Sequence, residues 1–448
     1  MSSSSFSSSE RVDRRVMGFE AGPSSSSRSR RRGGNSVWPG PFVEALAYQV
    51  AVDAVTTNGR LAAAPVLASL FQVCSTWQAV SRSNLLWHNL TARIWNRRHL
   101  LHDSWRHEFI FWHQTANNFR MGRYIYSTLH FVPPTNGSND GLSCRRLSLS
   151  DHHLAAGFSD GSVRLFYIPT RLHLSTFHPH HRDRLGRFSC AVSGIILTDS
   201  KLVFASLDGD VHVVAIGDHA PPRRAHLGDV VNDGTLVDFA GNQRWWVGLY
   251  AGVPGRAFHI WNTASEELVF IGGNLSDPEA VMGWHLLTEE AHMIGRVRVT
   301  SFDSAVACTA LQFIVFDLSN QGAIIGEEDQ FPRGLVIGAF DACKDSFLIV
   351  DNRGSASVRR ADDLTQRCSF NVRGASHGGV LGCMNGGFAI TVAGGVIRIW
   401  AIEGAGVGLY SRSLRERNLD IHSLVVDERH LTACSRDGTI HLWDFGGL

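Results

Sequence analysis

One short pattern recurs seven times after residue 155 and limits the fold more than any other feature of the chain. Each copy is an apolar run, a tight turn that usually holds glycine, and a second run that usually ends on an aromatic or apolar residue. The copies are Ala156–Ile168, Phe204–Ile216, Trp245–Trp261, Val306–Leu318, Phe347–Arg360, Phe388–Trp400 and Leu431–Trp443. Their turns carry Asp160-Gly161, Asp208-Gly209, Pro254-Gly255, Arg353-Gly354, Gly394-Gly395 and Asp437-Gly438. The steps from Gly161 to Gly209 to Gly255 are 48 and 46 residues, and those from Gly354 to Gly395 to Gly438 are 41 and 43. The 99 residues between Gly255 and Gly354 leave room for two units, with Val306–Leu318 in the middle. Paired strands at a period of roughly 40–45 residues mark propeller blades, not a helical solenoid.

Asp-Gly between two extended runs favours a tight hairpin, because glycine takes positive φ without steric cost. The flanking runs alternate as strands do: Val163, Leu165 and Tyr167 share one face, Arg164 and Phe166 the other. Both faces carry apolar residues. A single unit cannot bury them alone, so the units must stack into a ring. The expected fold is an all-β seven-bladed propeller, WD-repeat-like, over residues 122–448, with six or eight blades as the alternatives. The last copy ends at Trp443-Asp444-Phe445, three residues from the last residue, so its outer strand is missing. The run Tyr124–Val132 is expected to supply that strand and hide an open sheet edge.

Composition narrows the functional classes. Forty-two Lys+Arg against 41 Asp+Glu give a net charge of +1, which argues against direct nucleic-acid binding as the main activity. No apolar run reaches the ~20 residues of a membrane span; Leu61–Val73 falls short and reads as helical. The polar, serine-rich start is not a secretory signal. Eight scattered cysteines form no C-x-x-C pair, so reduced thiols in an intracellular protein are expected. No phosphate-binding glycine loop and no G-x-S-x-G elbow is present, and no catalytic residue, cofactor or metal is expected. His178, His180, His181 and Asp183 cluster, but in a proline-containing loop without fixed register, and read as solvated.

The front of the chain is different. Residues 1–34 are serine runs followed by an arginine cluster at 28–32, a tail too polar to fold and a candidate nuclear import signal. Residues 35–95 carry Trp, Leu, Ala and Val at helical spacing, and 96–121 continue as a helical linker. Ala62–Val80 reads as one helical stretch with Pro65 near its first turn, and Thr56–Ala64 as a lengthened connection before it.

Trp38-Pro39, Phe42, Leu46, then Val73-Cys74 with Trp77, then Leu86-Trp87 follow the order of an F-box. The segment resembles that family, whose motif docks a Skp-type adaptor of cullin–RING ubiquitin ligases. The usual opening Leu-Pro is Trp-Pro here. The resemblance implies that Trp38, Pro39, Phe42, Leu46, Val73, Cys74 and Leu86 contact the adaptor, with Trp77 and Trp87 as internal struts. Large apolar groups on a module too small to bury them fit that reading. From about Val37 to Leu448 the chain also resembles a plant F-box/WD-repeat family, carried by Phe42–Val52, Pro254–Trp261, Asp277–His285 and Ile440–Phe445. That resemblance implies a substrate-recognition subunit and a nuclear regulator of flower and organ development.

In a WD-type blade, the loop entering the first strand and the turn between the second and third strands open on the same side. Those loops carry Arg187, Arg256, Arg333, Arg353, Arg373, Arg417 and Arg436. Guanidinium forks bind carboxylate or phosphate bidentately, so this face is the candidate grip for an acidic or phosphorylated segment of a protein substrate. The competing reading is solvated loop charge diluted by Asp160, Asp208, Asp233 and Glu416. The sequence thus points to a non-enzymatic receptor in a ubiquitin ligase; the alternative is a nuclear transcriptional scaffold without ubiquitin transfer.

Overall fold

The computed structural model describes residues 40–130, 142–179, 187–218, 220–274, 295–300, 303–309, 312–328, 337–374, 379–404 and 410–447. Helices come first. α1 spans Gly40–Asn58, α2 Ala63–Phe71, α3 Ser75–Val80, α4 Asn84–Leu90 and α5 Trp105–Met121. Ser83 and Ser104 cap α4 and α5 by accepting from the Leu86 and His107 amides. α5 stops at Gly122, whose φ of 62° turns the chain left-handed and lets Arg123 N–H donate to the Asn118 carbonyl.

Two sequence expectations change here. The stretch Ala62–Val80 is not one helix: it breaks at Gln72-Val73-Cys74 between α2 and α3. The connection at Thr56–Ala64 is not lengthened. α1 runs on to Asn58, and a single 3-10 turn, Arg60–Ala62, leads straight into α2. The reason is Arg60, whose buried side chain pairs with Glu403 at 2.9 Å and Glu428 at 2.6 Å and holds this turn against the sheets.

The rest is an all-β propeller. Among the described residues, five sheets have four strands each and one has eight. The first strands of successive four-stranded units pack in order, Cys144–Leu149, Val192–Leu197, Thr235–Gly241, Arg296–Val299, Ile337–Cys343, Leu381–Met384 and Ile421–Val426, and the last returns to the first. Seven separate four-stranded sheets were expected from the repeat. The eight-stranded sheet departs from that because one parallel bridge, Phe239 to Gly194, joins two neighbouring units. Gly194 permits it, since a Cβ there would overlap the Phe239 carbonyl oxygen. The turn glycines Gly161, Gly209, Gly255, Gly354, Gly395 and Gly438 all take positive φ, between 69° and 85°.

Ile125–Leu129 pairs antiparallel with the final strand Ile440–Asp444, with Ile125 opposite Asp444 and Leu129 opposite Ile440. A strand before the first unit therefore completes the last sheet, which otherwise has only Ile421–Val426, His430–Ser435 and Ile440–Asp444.

Helices and sheets share one core. Val43, Ala47, Leu67, Leu90, Phe109, Trp112 and Phe119 pack in the same cluster as Phe388, Ile399, Leu431, Trp443 and Phe445. Strands facing neighbouring sheets are covered on both sides: His153–Phe158 and His430–Ser435 are buried throughout. That is what stacking between blades demands.

Candidate functional site

The helical module hides one face and presents another. On α1, Val43, Ala47 and Ala51 are buried, Leu46 is half-buried, and Phe42 stays 46% exposed. The break between α2 and α3 leaves Val73 63% exposed and Cys74 exposed as well. On α4 the helix phase reverses the sequence expectation. Leu86 is only 2% exposed and joins the shared core, whereas Leu85 is 62% exposed. Any partner surface at this helix is therefore offered by Leu85 and not by Leu86. Trp87 is buried, its indole N–H donating to the Ser81 carbonyl at 2.6 Å, and Trp77 packs half-buried against the same core. Trp38 and Pro39 lie outside the described residues.

At the propeller face, hydrogen bonds tie each turn to the loop beside it. Arg436 N–H donates to the Asp420 carbonyl at 2.9 Å, Asn418 N–H to Gly395 at 3.0 Å, and Val372 N–H to Gly354 at 2.7 Å. Arg353, Arg373, Arg417 and Arg436 are exposed at these loops. Two of the predicted arginines are already engaged. Arg256 donates through Nε to Asp233 Oδ1 at 2.9 Å, and Arg436 lies 3.4 Å from Asp420. Among the described residues, Arg353 and Arg373 are held only through their backbones, Arg353 N–H donating to Asp351 and the Arg373 carbonyl accepting from Arg398. Arg187 opens a 3-10 turn, and its side chain lies outside the described residues, as do Arg333, His180, His181 and Asp183.

The third assembly was not visible in the sequence. The innermost strands carry a belt of charge. Register slips fall between Cys144 and Arg146 and between Leu236 and Asp238. Arg146 donates to the Ser193 carbonyl at 2.7 Å and to Asp238 at 3.2 Å. Asp238 accepts from the Val297 amide and from Arg298 Nη1, both at 2.9 Å. Arg298 Nε donates to Asp341 at 2.9 Å, and Asp341 accepts from the Met384 amide at 2.9 Å. Burial alone would raise the Asp238 carboxyl; Arg146, Arg298 and Arg296 outweigh it and hold it below the usual carboxylate range. Each buried carboxylate is thus paired and hydrogen-bonded, as a desolvated charge requires. Six inner strands are stitched by side chains drawn from residues 146 to 341. His422 adds a bond from the last inner strand to the Cys144 carbonyl at 2.7 Å. Among the described residues, no group of three His, Cys, Asp or Glu could hold a metal ion.

Radial sheets around a closed inner ring, joined to a helical module, define a WD40-type β-propeller protein. The WD40 domain of Neurospora crassa Pan2 overlays with a TM-score of 0.52 at 11% identity, covering 71% of this chain and 95% of that one. The RRP9 WD40 repeats overlay with a TM-score of 0.51 at 10% identity, covering 71% and 97%. No protein-family model matches the chain. The transcriptional regulator STERILE APETALA of Arabidopsis thaliana is 54% identical over 422 residues, 93% of this chain and 94% of that protein. The chain belongs to the STERILE APETALA family.

Proposed function

We propose that the chain is the substrate-recognition subunit of a Skp–cullin–F-box ubiquitin ligase, working in the nucleus as a regulator of flower and organ development. The helices of 35–95 hold the Skp-type adaptor, and the propeller holds the protein substrate. Counting one blade for each inner strand, with the eight-stranded sheet as two, the propeller has seven blades.

The observation that carries this reading is the shared core. Arg60 and Phe119 lock the helices to the last sheets, while Phe42, Val73 and Leu85 remain at the surface. A receptor needs that combination. The adaptor surface must stay open, and its distance from the substrate must be fixed so that binding raises the substrate's effective concentration beside a charged enzyme. An acidic or phosphorylated substrate segment is held on the face of Arg353, Arg373 and Arg417, with Arg256 contributing less because Asp233 already occupies it.

A second reading is favoured by the Arabidopsis relative, which is named a transcriptional regulator. The propeller would then serve as a scaffold for transcription machinery without ubiquitin transfer. Co-purification of the full chain with a Skp-type adaptor separates the two. Capture by the wild type and its loss in Val73→Asp, with thermal stability unchanged, supports the ligase subunit; no capture by the wild type leaves the scaffold.

A further inference from the structure

The inner strands carry four arginines, Arg145, Arg146, Arg296 and Arg298, against two carboxylates, Asp238 and Asp341. Those strands also carry His422 and the neutral thiols of Cys144, Cys343 and Cys383. On these strands, four cationic side chains thus stand against two carboxylates. The belt described above uses Arg146 and Arg298 fully, and Arg145 donates through Nε to the Val192 carbonyl at 3.1 Å. Arg296 is different. Among the described residues, its nearest carboxylate oxygen is on Asp238, 3.9 Å away and beyond hydrogen-bond reach. That carboxylate already accepts from Arg146, Arg298 and the Val297 amide.

Position and access match. Arg296 is the first residue of its strand and pairs with Cys308, immediately before the turn that follows the second strand. It therefore sits at the end of the channel that opens on the arginine-bearing face. The Arg296 and Arg298 side chains keep 25% and 29% of their surface exposed, so the charges are not sealed from solvent. Burial, then the neighbouring Arg146 and Arg298 guanidiniums, push the Arg296 pKa down to about 9 despite Asp238. Arginine stays cationic at neutral pH, so the crowding is relieved by a counter-charge and not by losing the proton.

We propose that the channel mouth at Arg296 is a binding site for a small free oxyanion of the phosphate class, held by the Arg296 fork and neutralised further by Arg145, Arg146 and Arg298. A planar guanidinium with five donors and, among the described residues, no carboxylate oxygen nearer than 3.9 Å suits such an anion better than a halide, because two oxygens can be met at once. The anion would act as a keystone: it binds the closed ring and not the opened chain, and so stabilises the ring by mass action. This does not rest on the ligase reading, since the site lies in the propeller and is tested with the purified chain alone.

The test is titration of inorganic phosphate into the full-length protein, followed by calorimetry and by the melting temperature, against sodium chloride at matched ionic strength. Saturable binding with a raised melting temperature is expected for the wild type. Arg296→Gln should weaken binding about ten-fold or more, the cost of losing a charge-assisted pair. Arg296→Lys should fall between, keeping the charge without the fork, and serves if the glutamine variant does not fold. Arg106→Gln, exposed on α5 and outside the propeller, should leave phosphate affinity unchanged. A parallel titration with a phosphoserine peptide distinguishes the source: binding of the peptide but not of inorganic phosphate overturns the free-anion assignment. Absence of saturable phosphate binding, or equal affinity in wild type and Arg296→Gln, overturns it as well.

Discussion

The Phe119 ring stacks on the Phe445 ring with centroids 3.7 Å apart and planes 15° from parallel. Phe119 also stacks on Phe388 at 5.4 Å, and its neighbour Asn118 donates to the Phe445 carbonyl at 2.8 Å. The last helix and the last strand of the propeller are thus one packed unit. Truncating Phe119 removes a fully buried ring from both sides of the junction. Phe119→Ala should cost about 3–5 kcal/mol. Chemical denaturation should then show two transitions in place of one, the helices melting before the sheets. A single unaltered transition would mean that the junction does not couple them.

Acid should loosen the same junction through Glu428. Burial alone would raise this carboxyl, but Arg60 and Lys344 outweigh it and hold its pKa at about 2, against an ordinary 4.5. The folded value lies below the unfolded one, so the stabilisation is complete above pH 4.5 and is lost as pH falls towards 2. The shift corresponds to about 3 kcal/mol at neutral pH. Unfolding free energy measured from pH 6 down to pH 3 should fall more steeply in the wild type than in Glu428→Gln. Parallel curves would remove Glu428 as the source.

Gly194→Ala tests the close approach of two inner strands. The added methyl would meet the Phe239 carbonyl oxygen and Cβ, and backbone there cannot retreat without moving a strand of the belt. A loss of roughly 1–3 kcal/mol is expected, the usual cost of overpacking. Hydrogen exchange should rise at residues 192–197 and 235–241 first. An alanine variant as stable as the wild type would show the bridge to be incidental.

What the sequence made legible was whatever repeats or lies close along the chain. The glycine turns follow from a local rule, and each takes the positive φ that the Asp-Gly and Gly-Gly pairs called for. The strand at Ile125–Leu129 was legible because the last copy lacked one. The charged belt was not, because Arg146, Asp238, Arg298 and Asp341 stand in four different repeats and meet only when the ring closes. Nothing in their local spacing distinguishes them from surface charges. The competing reading already named Asp233 among the diluting acids; its specific pairing with Arg256 was not legible, because it lies 23 residues away in a short helical turn, Val230–Asp233, that no periodicity announces.

Helix phase decides the last case, Leu85 against Leu86. The motif pointed to Leu86, but α4 turns it into the core at 2% exposure and leaves Leu85 at 62%. The two leucines should therefore separate stability from docking. Leu86→Ala should cost about 2–5 kcal/mol, as for a buried leucine. Leu85→Ala should change stability by less than about 0.5 kcal/mol, as for an exposed one. In a pull-down with a Skp-type adaptor, Leu85→Asp should abolish capture while the melting temperature stays within about 2 °C of the wild type. Leu86→Ala, assayed below its melting temperature, should still capture the adaptor. If Leu85→Asp binds normally and Leu86→Ala alone fails while folded, the docking surface is not the one α4 exposes.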